Sequence, residues 1–492
     1  MKKIFIAAML MTSMAVPTMA QSGAVKKAAK SVVKISAFQA DGKLVHTGYG
    51  VIVDESGTAL TAWTPYVDAA YAVAIDGKGK KYDVEYIYGA SEMYNVAKVR
   101  LTNSEDSSKK SEFDAVQIEE GQQSVGGEAW VVGYDIKSPM MKKVSPSKIE
   151  TFSTSLPYYI FEQETAVITE DMSGYPVLNA QGKLMGLVST STLRTDFYAA
   201  SAKYAMTLTP TAFSVNDNVL RYTGLRIALP SDYNQAVVAL LMSARGTVKR
   251  YEGTIEDFIQ HFPNKSDGYI TKTEWRAMNA DYQGADAAIQ QALQNAEDKD
   301  NIHYAYSRTI YNTLLEKTDT LPTPWTLDKA VEEVNAAIAI KDQPLYHVHK
   351  GKVLFSQQKF QEAKTQFETA NNMPGYRDAE VYYYVYQCMK NLKAKRAELI
   401  VPLDSATAIN PDVMTYQAEK LLLLIRMNRA ADAVTVGQLI VDKAPQYAEG
   451  HGLLGLALCY AKRKDEGVAE LEKARSLGYA KADEYIKLFA NK

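Results

Sequence analysis

Glu170-Asp171-Met172-Ser173-Gly174-Tyr175-Pro176-Val177-Leu178-Asn179 sets one serine, followed by glycine, just before a short apolar run. A serine hydroxyl is a weak nucleophile until a positioned base takes its proton. The reading of the chain therefore turns on what accompanies Ser173. Outward from it, Ala24 to about Leu208 consists of short runs rich in Val, Ile, Tyr and Thr, such as Ser31-Val-Val-Lys-Ile-Ser36, Gly50-Val-Ile-Val53 and Ala129-Trp-Val-Val132. Turn residues separate them: Asp54-Glu-Ser-Gly57, Asp76-Gly77, Gly126-Gly127 and Gln181-Gly182. Regularly spaced short strands with such turns predict an all-β sandwich or barrel.

The local motifs also come in a telling order. Ser31-Val-Val-Lys-Ile35, Gly48-Tyr-Gly-Val-Ile-Val-Asp54 and Ala59-Leu-Thr61 come first, then Asp76-Gly77 and Asn95-Val-Ala-Lys-Val-Arg-Leu101. Trp130-Val-Val-Gly133, the Ser173 stretch, Gly182-Lys-Leu-Met-Gly-Leu187 and Gly224-Leu-Arg-Ile-Ala-Leu-Pro230 follow. In this order the segment resembles the HtrA-type trypsin-like serine proteases. The resemblance implies a trypsin-like double β-barrel over 24–246, with Gly224–Pro230 as its last strand and Ser231 to Ala244 as its closing helix.

Carried over residue by residue, the resemblance puts the catalytic histidine at Thr64, the aspartate at Asn95 and the serine at Ser173. Threonine has no basic lone pair suited to accepting and returning a proton at neutral pH, and asparagine does not stabilise an imidazolium. The second change alone costs about 10⁴ in rate in the worked case of this triad. The glycine two residues before the serine is Asp171, whose carboxylate opposes a developing oxyanion, and Tyr175 replaces the second glycine after it. No catalytic residue is expected from this set. The alternative is an active endopeptidase in which Ser173 uses an unconventional base, with His46, Lys98 or Lys183 as the candidates.

After Pro230 the composition shifts to Ala, Leu, Glu, Lys, Gln and Tyr in helical periodicity. Pro411 and Pro445, each ending a helix, share a spacing that matches the tetratricopeptide period. Gly351, Leu354, Phe360, Ala363, Phe367 and Ala370 fall at that family's small and aromatic packing positions, as do Tyr269, Tyr282, Ala285, Ile289 and Ala292. Leu454-Gly455, Leu458, Leu471 and Ala474 repeat the pattern. The similarity implies an α-solenoid over 247–492, of about six helical pairs and a closing helix near 481–490. Leu321-Pro-Thr-Pro-Trp325 lengthens one inter-helix loop. Tyr382, Tyr383 and Tyr386 crowd one helix and are partner-binding candidates, because amphipathic aromatic rings are favoured at interfaces.

The ends and the composition limit the function. Met1-Lys2-Lys3, an apolar run from Ile4 to Val16 and Pro17-Thr18-Met19-Ala20 predict a secretory signal peptide over 1–20, cleaved after Ala20. Gln21 follows, so nothing there supports lipid attachment, and no run is long and apolar enough to span a membrane. Lys plus Arg number 55 against 57 acidic residues, so no global field recruits nucleic acid. Cys388 and Cys459 are the two cysteines, expected as buried free thiols. Pro263 to Glu274 echoes a calcium loop, but Pro263 and Lys265 stand where oxygen ligands belong, and the stretch reads as a repeat junction. His347 and His349 lie two apart on a helix and do not face each other. Neither cofactor nor metal is expected. The function that follows is an exported, periplasmic pseudoprotease and repeat scaffold that binds proteins or peptides.

Overall fold

The structure, a computed structural model, describes residues 18–103, 113–121, 124–151, 156–161, 169–189, 197–316 and 324–490. Most of the expected signal peptide (1–17) and the Leu321–Thr323 part of the long inter-helix loop lie outside the described residues. The chain forms two compact units, Met1–Phe262 and Pro263–Lys492.

In the first unit, helix α1 (Thr18–Ala28) leads into strands β1 (Val32–Phe38), β2 (Leu44–Ile52), β3 (Thr58–Thr61), β4 (Tyr71–Asp76), β5 (Lys81–Ser91) and β6 (Val96–Asn103). These close into a barrel in the order β1-β2-β3-β6-β5-β4. Alternation along β5 buries Tyr82, Val84, Ile87 and Gly89 and leaves Lys81 and Asp83 exposed, the period-2 pattern of a strand with one face on a core. Strands β7 (Ala129–Val132), β8 (Met141–Val144), β9 (Lys148–Thr151), β10 (Pro157–Phe161), β11 (Pro176–Asn179), β12 (Leu184–Ser189) and β13 (Phe197–Ser201) form an antiparallel sheet in the order β8-β7-β11-β12-β13-β10-β9. Among the described residues this second sheet is not closed into a barrel. A shared core of Val32, Val51, Leu60, Val132, Leu178 and Leu187 joins the two sheets.

The hairpins reuse one device. Asp54 accepts from the Ser56 and Thr58 N–H groups, Asp76 from those of Lys78 and Lys80, and Asn179 from those of Gln181 and Lys183. A left-handed glycine ends each turn: Gly57, Gly79 and Gly182 at φ +96°, +84° and +76°.

The last strand is a correction. The sequence assigned it to Gly224–Pro230, but β13 takes that place, with Leu187 opposite Ala200 and Tyr159 opposite Ala199. Small, fully buried alanines fit between two covering strands. Ile227 instead bridges Ile87 of the first barrel, and Leu225 and Ile227 enter that barrel's core. Helices α2 (Ala202–Thr207), α3 (Tyr233–Ser243) and α4 (Val248–His261) complete the unit. Helix α3 forms where a closing helix was expected, capped by Asp232 accepting from the Gln235 N–H. Helix α4 belongs to this unit, so the division falls one helix later than the expected boundary at 246. Phe258 is buried beside Tyr233, and Asp257 is paired with Arg226.

The second unit is a succession of helices: α5 (Asp267–Met278), α6 (Tyr282–Asn295), α7 (Lys299–Glu316), α8 (Leu327–Ile340), α9 (Pro344–Ser356), α10 (Phe360–Asn372), α11 (Ala379–Asn391), α12 (Arg396–Ile409), α13 (Met414–Arg426), α14 (Ala430–Lys443), α15 (Ala448–Tyr460), α16 (Lys464–Ser476) and α17 (Ala482–Ala490). Consecutive helices pair, and α17 stands last. A Cβ on Gly351 would come within 2.6 Å of the Phe367 ring, so the small residue lets α9 and α10 approach. Between the helices of a pair the chain turns through a left-handed residue that is not glycine: Ala280, Gln358, Lys393, Asn428 and Lys462, with φ between +55° and +62°. The calcium-like stretch is mostly helix α5, entered through Ser266, which donates to Asp298 and accepts from Asn301. Both cysteines are free and buried, and burial pushes the Cys388 thiol up to about 12.

Candidate functional site

The fold brings Thr64, Asn95 and Ser173 together. Thr64 follows β3 in a short 3-10 turn, Thr64–Tyr66, and Asn95 ends the β5–β6 hairpin in a left-handed conformation, φ +49°. Asparagine tolerates that region better than most residues. Its side-chain oxygen accepts from the N–H groups of Trp63 (3.1 Å) and Thr64 (2.9 Å) and from the Thr64 hydroxyl (2.7 Å). Backbone N–H groups only donate, so the atom facing them is the oxygen and the amide NH₂ points the other way. That NH₂ donates to Ser173 Oγ at 2.9 Å.

This bond determines the local chemistry. In a working triad an imidazole separates carboxylate from serine and accepts the hydroxyl proton. Here Asn95 reaches the serine directly and presents a donor to it. An amide NH₂ takes no proton at neutral pH, and Thr64 turns its own hydroxyl hydrogen onto Asn95.

Ser173 is half-buried, and Gly174 seats its loop. At φ +89°, Gly174 donates its N–H to Val188 O, and a Cβ there would lie 2.1 Å from Tyr49 O on β2. Only glycine lets the serine loop come this close to the first barrel. Before the serine, Glu170–Met172 form a right-handed 3-10 turn closed by the Met172 N–H on Thr169 O. Asp171 is exposed and receives the Thr169 hydroxyl. The turn is thus rebuilt in a conformation that a residue with a Cβ adopts freely. After the serine, Tyr175 packs on Tyr49 with ring centroids 4.3 Å apart, and Tyr49 packs on Tyr134 at 6.4 Å. Burial, and next the hydrogen bond with Tyr49, push the Tyr175 phenol up.

The alternative bases are placed elsewhere. Lys98 gives its ammonium to Met206 O at 3.0 Å and lies 5.3 Å from the centre of the Tyr88 ring, while burial pushes its pKa down. Lys183 sits in the turn of the β11–β12 hairpin, at the end away from Ser173. His46 is exposed on β2, opposite Ala37.

The serine loop is seated against the first barrel by Gly174, and Thr64 and Asn95 converge on it. Residues 48–187 match the family of the trypsin-like peptidase domain. Among solved structures, the serine endoprotease from Yersinia pestis is similar to the chain at 19% identity and a TM-score of 0.31, over 38% of this chain and 64% of that one. The chain thus spans under two thirds of that protein's length. No curated protein matches. The trypsin-like domain accounts for the barrel motifs. The hydrogen-bonded set around Asn95 was readable only as three positions, because contacts to the Trp63 and Thr64 backbone leave no mark in side-chain identity.

The tyrosines of α11 divide. Tyr386 is buried, donates to Glu419 at 2.7 Å and stacks on Tyr383. It is a packing residue, which corrects its place among the partner-binding candidates. Tyr383 is half-buried against Tyr416. Tyr382 borders a groove of about 490 Å³ with Lys364, Glu368, Val401 and Pro402. His347 bonds Gln366 and Asp342, and His349 bonds Ser307, so the two imidazoles serve separate partners. Among the described residues no cluster of ligating side chains suits a metal, and no helix is long and apolar enough to cross a membrane.

Proposed function

We propose that this chain is an exported, non-catalytic trypsin-like scaffold that binds proteins or peptides, with the helical repeats as its gripping surface. The observation that carries the reading is the Asn95 amide on Ser173 Oγ. It occupies an acceptor position of the hydroxyl and offers it no lone pair that could take its proton. Export is read from Met1-Lys2-Lys3 and the apolar run behind it, with the periplasm as the proposed compartment. Repeat pairs stacked in this way build extended surfaces suited to peptides, and the groove beside Tyr382 is the first place to look.

Labelling of the purified mature protein with a fluorophosphonate probe tests the catalytic half, with Ser173→Ala as control and an active trypsin-like protease alongside. The expected result is labelling no greater than in the Ser173→Ala control. Labelling that disappears with Ser173→Ala would restore the peptidase reading. Pull-down of a discrete partner, weakened by Tyr382→Ala, tests the binding half.

A further inference from the structure

The turns inside the helical pairs of the second unit repeat one geometry. Lys359, Ala394, Arg429 and Arg463 each follow a left-handed residue and donate their N–H groups back to Leu354, Met389, Leu424 and Leu458 O, at 2.9–3.0 Å. This bond closes the first helix of a pair in the same way each time, and helices joined by such short turns run back along each other. These turns therefore gather at one end of the stack, and two of them touch, because the Arg396 guanidinium donates to Arg426 O. Along this end, 390–398 holds four cations and one acid, 426–432 two and one, and 460–466 three and two. The turns at the other end, 341–343, 373–378, 410–413 and 444–447, hold Lys341 and Arg377 against Asp342, Asp378 and Asp412. Positive charge thus collects along one edge, in a chain whose net charge is −2.

We propose that this edge of the second unit docks on an anionic lipid surface. The fold itself does not call for the charge. A cation in the last turn of a helix complements the helix dipole, which accounts for Lys390 and Arg426. Lys395, Arg396, Arg429, Arg463 and Lys464 stand instead at the N-cap or first residue of α12, α14 and α16. There a cation opposes the dipole, and no side chain caps any of the three helices. Part of the charge is spent locally, Arg429 on Asp432, Arg463 on Glu466 and Lys390 on Glu419. Lys393, Lys395 and Lys462 are exposed and form no ion pair among the described residues.

The neighbours of these lysines decide between anions. Leu392 and Tyr460, at the same end of the helices, are 42% and 50% exposed. Lipid headgroups meet the cations while the boundary beneath them takes up apolar and aromatic side chains. An acidic peptide would answer the cations and leave Leu392 in water. Cations spread over three successive turns also match an extended field of charge better than a single small anion. The proposal stands independently of Ser173 and of the groove beside Tyr382.

The test is co-sedimentation of the mature full-length protein with vesicles of phosphatidylcholine alone and of phosphatidylcholine mixed with phosphatidylglycerol. Binding to the mixed vesicles is expected to be at least about tenfold tighter, and to weaken as salt rises. Lys393→Gln with Lys395→Gln and Lys462→Gln is expected to weaken it at least about tenfold while the melting temperature stays unchanged. Gln358 already holds in another turn the left-handed position that Lys393 and Lys462 occupy, so glutamine suits the backbone there. Lys80→Gln with Lys81→Gln and Lys137→Gln removes the same charge from the first unit and is expected to bind as the unaltered protein does. Equal binding to the two kinds of vesicle, binding to neither, undiminished binding by the edge variant, or an equal loss in the first-unit variant overturns the proposal. A fluorescein-labelled glutamate-rich peptide is titrated in parallel by anisotropy. Peptide binding without vesicle binding would assign the edge to an acidic protein segment and also overturn it.

Discussion

Asn95 carries more of the structure than its contact with Ser173 alone. Its side-chain oxygen satisfies two backbone N–H groups and one hydroxyl, and its backbone takes a left-handed conformation. Asn95→Ala strips the acceptor from those N–H groups and places a residue that resists positive φ. Leaving a part-buried donor unmatched costs about 1–3 kcal/mol. Asn95→Ala is therefore expected to lower stability by about 2–3 kcal/mol in urea unfolding. Asn95→Asp keeps the acceptor but supplies no base between itself and the serine, so its fluorophosphonate labelling is expected to stay at the Ser173→Ala level. At this scale the sequence was legible in identities and silent on contacts. Thr64, Asn95 and Ser173 were placed from motif order alone. That Asn95 touches Ser173 directly is a contact between distant parts of the chain, which motif order does not reveal. Tyr386 misled because aromatic residues serve cores and interfaces alike.

Elements show how the repeats are cut. The turns at Gln358, Lys393, Asn428 and Lys462 all use a left-handed residue, although none of them is glycine. Side-chain patterns reveal little of this, since of these residue types only asparagine has a raised preference for that region. A β-branched residue is strained there: Lys462→Val is expected to cost about 1–2 kcal/mol, and Lys462→Gly to change thermal stability by less than about 1 kcal/mol. Strand assignment failed at Gly224–Pro230 for a related reason. Phe197-Tyr-Ala-Ala-Ser201 and Gly224-Leu-Arg-Ile-Ala-Leu-Pro230 carry similar small and apolar patterns, and only pairing with β10 and β12 distinguishes them.

Helix α9 adds a pH dependence. The Ser307 hydroxyl donates to Ala330 O, so it accepts from His349 Nε2, which fixes the neutral tautomer of that buried ring. Burial pushes the His349 pKa down to about 4. The folded value lies below the unfolded one, so protons favour the unfolded chain. The contribution is fully present above about pH 6.5 and is lost as pH falls toward 4. Roughly 2 kcal/mol is expected to disappear between pH 7 and pH 5, and His349→Asn to flatten that slope in denaturant titrations.

On the scale of the whole molecule, the chain is two compact units whose seam lies between Phe262 and Pro263. Helix α4 sets Phe258 beside Tyr233 of the first unit, and supplies Asp257 and Arg250 to that unit's polar contacts. A fragment of 24–262 is therefore expected to unfold cooperatively by circular dichroism, whereas 24–246 is expected to lose that transition or aggregate. The sequence placed the change from strand to helix correctly but cut one helix early, because α4 has the same amphipathic pattern as the repeats that follow. Nothing in its periodicity says which body it covers.

That placement also sets an order in time. Polypeptides emerge from the ribosome at about 5–20 residues per second, and the barrel end that meets Arg250 and Asp257 is made well before they are. The strands through β13 are complete by Ser201, yet Leu220, Thr223 and Arg226 wait for a helix that finishes at His261. The side chains that close this flank of the first unit are thus the last of the unit to be synthesised before the repeats begin.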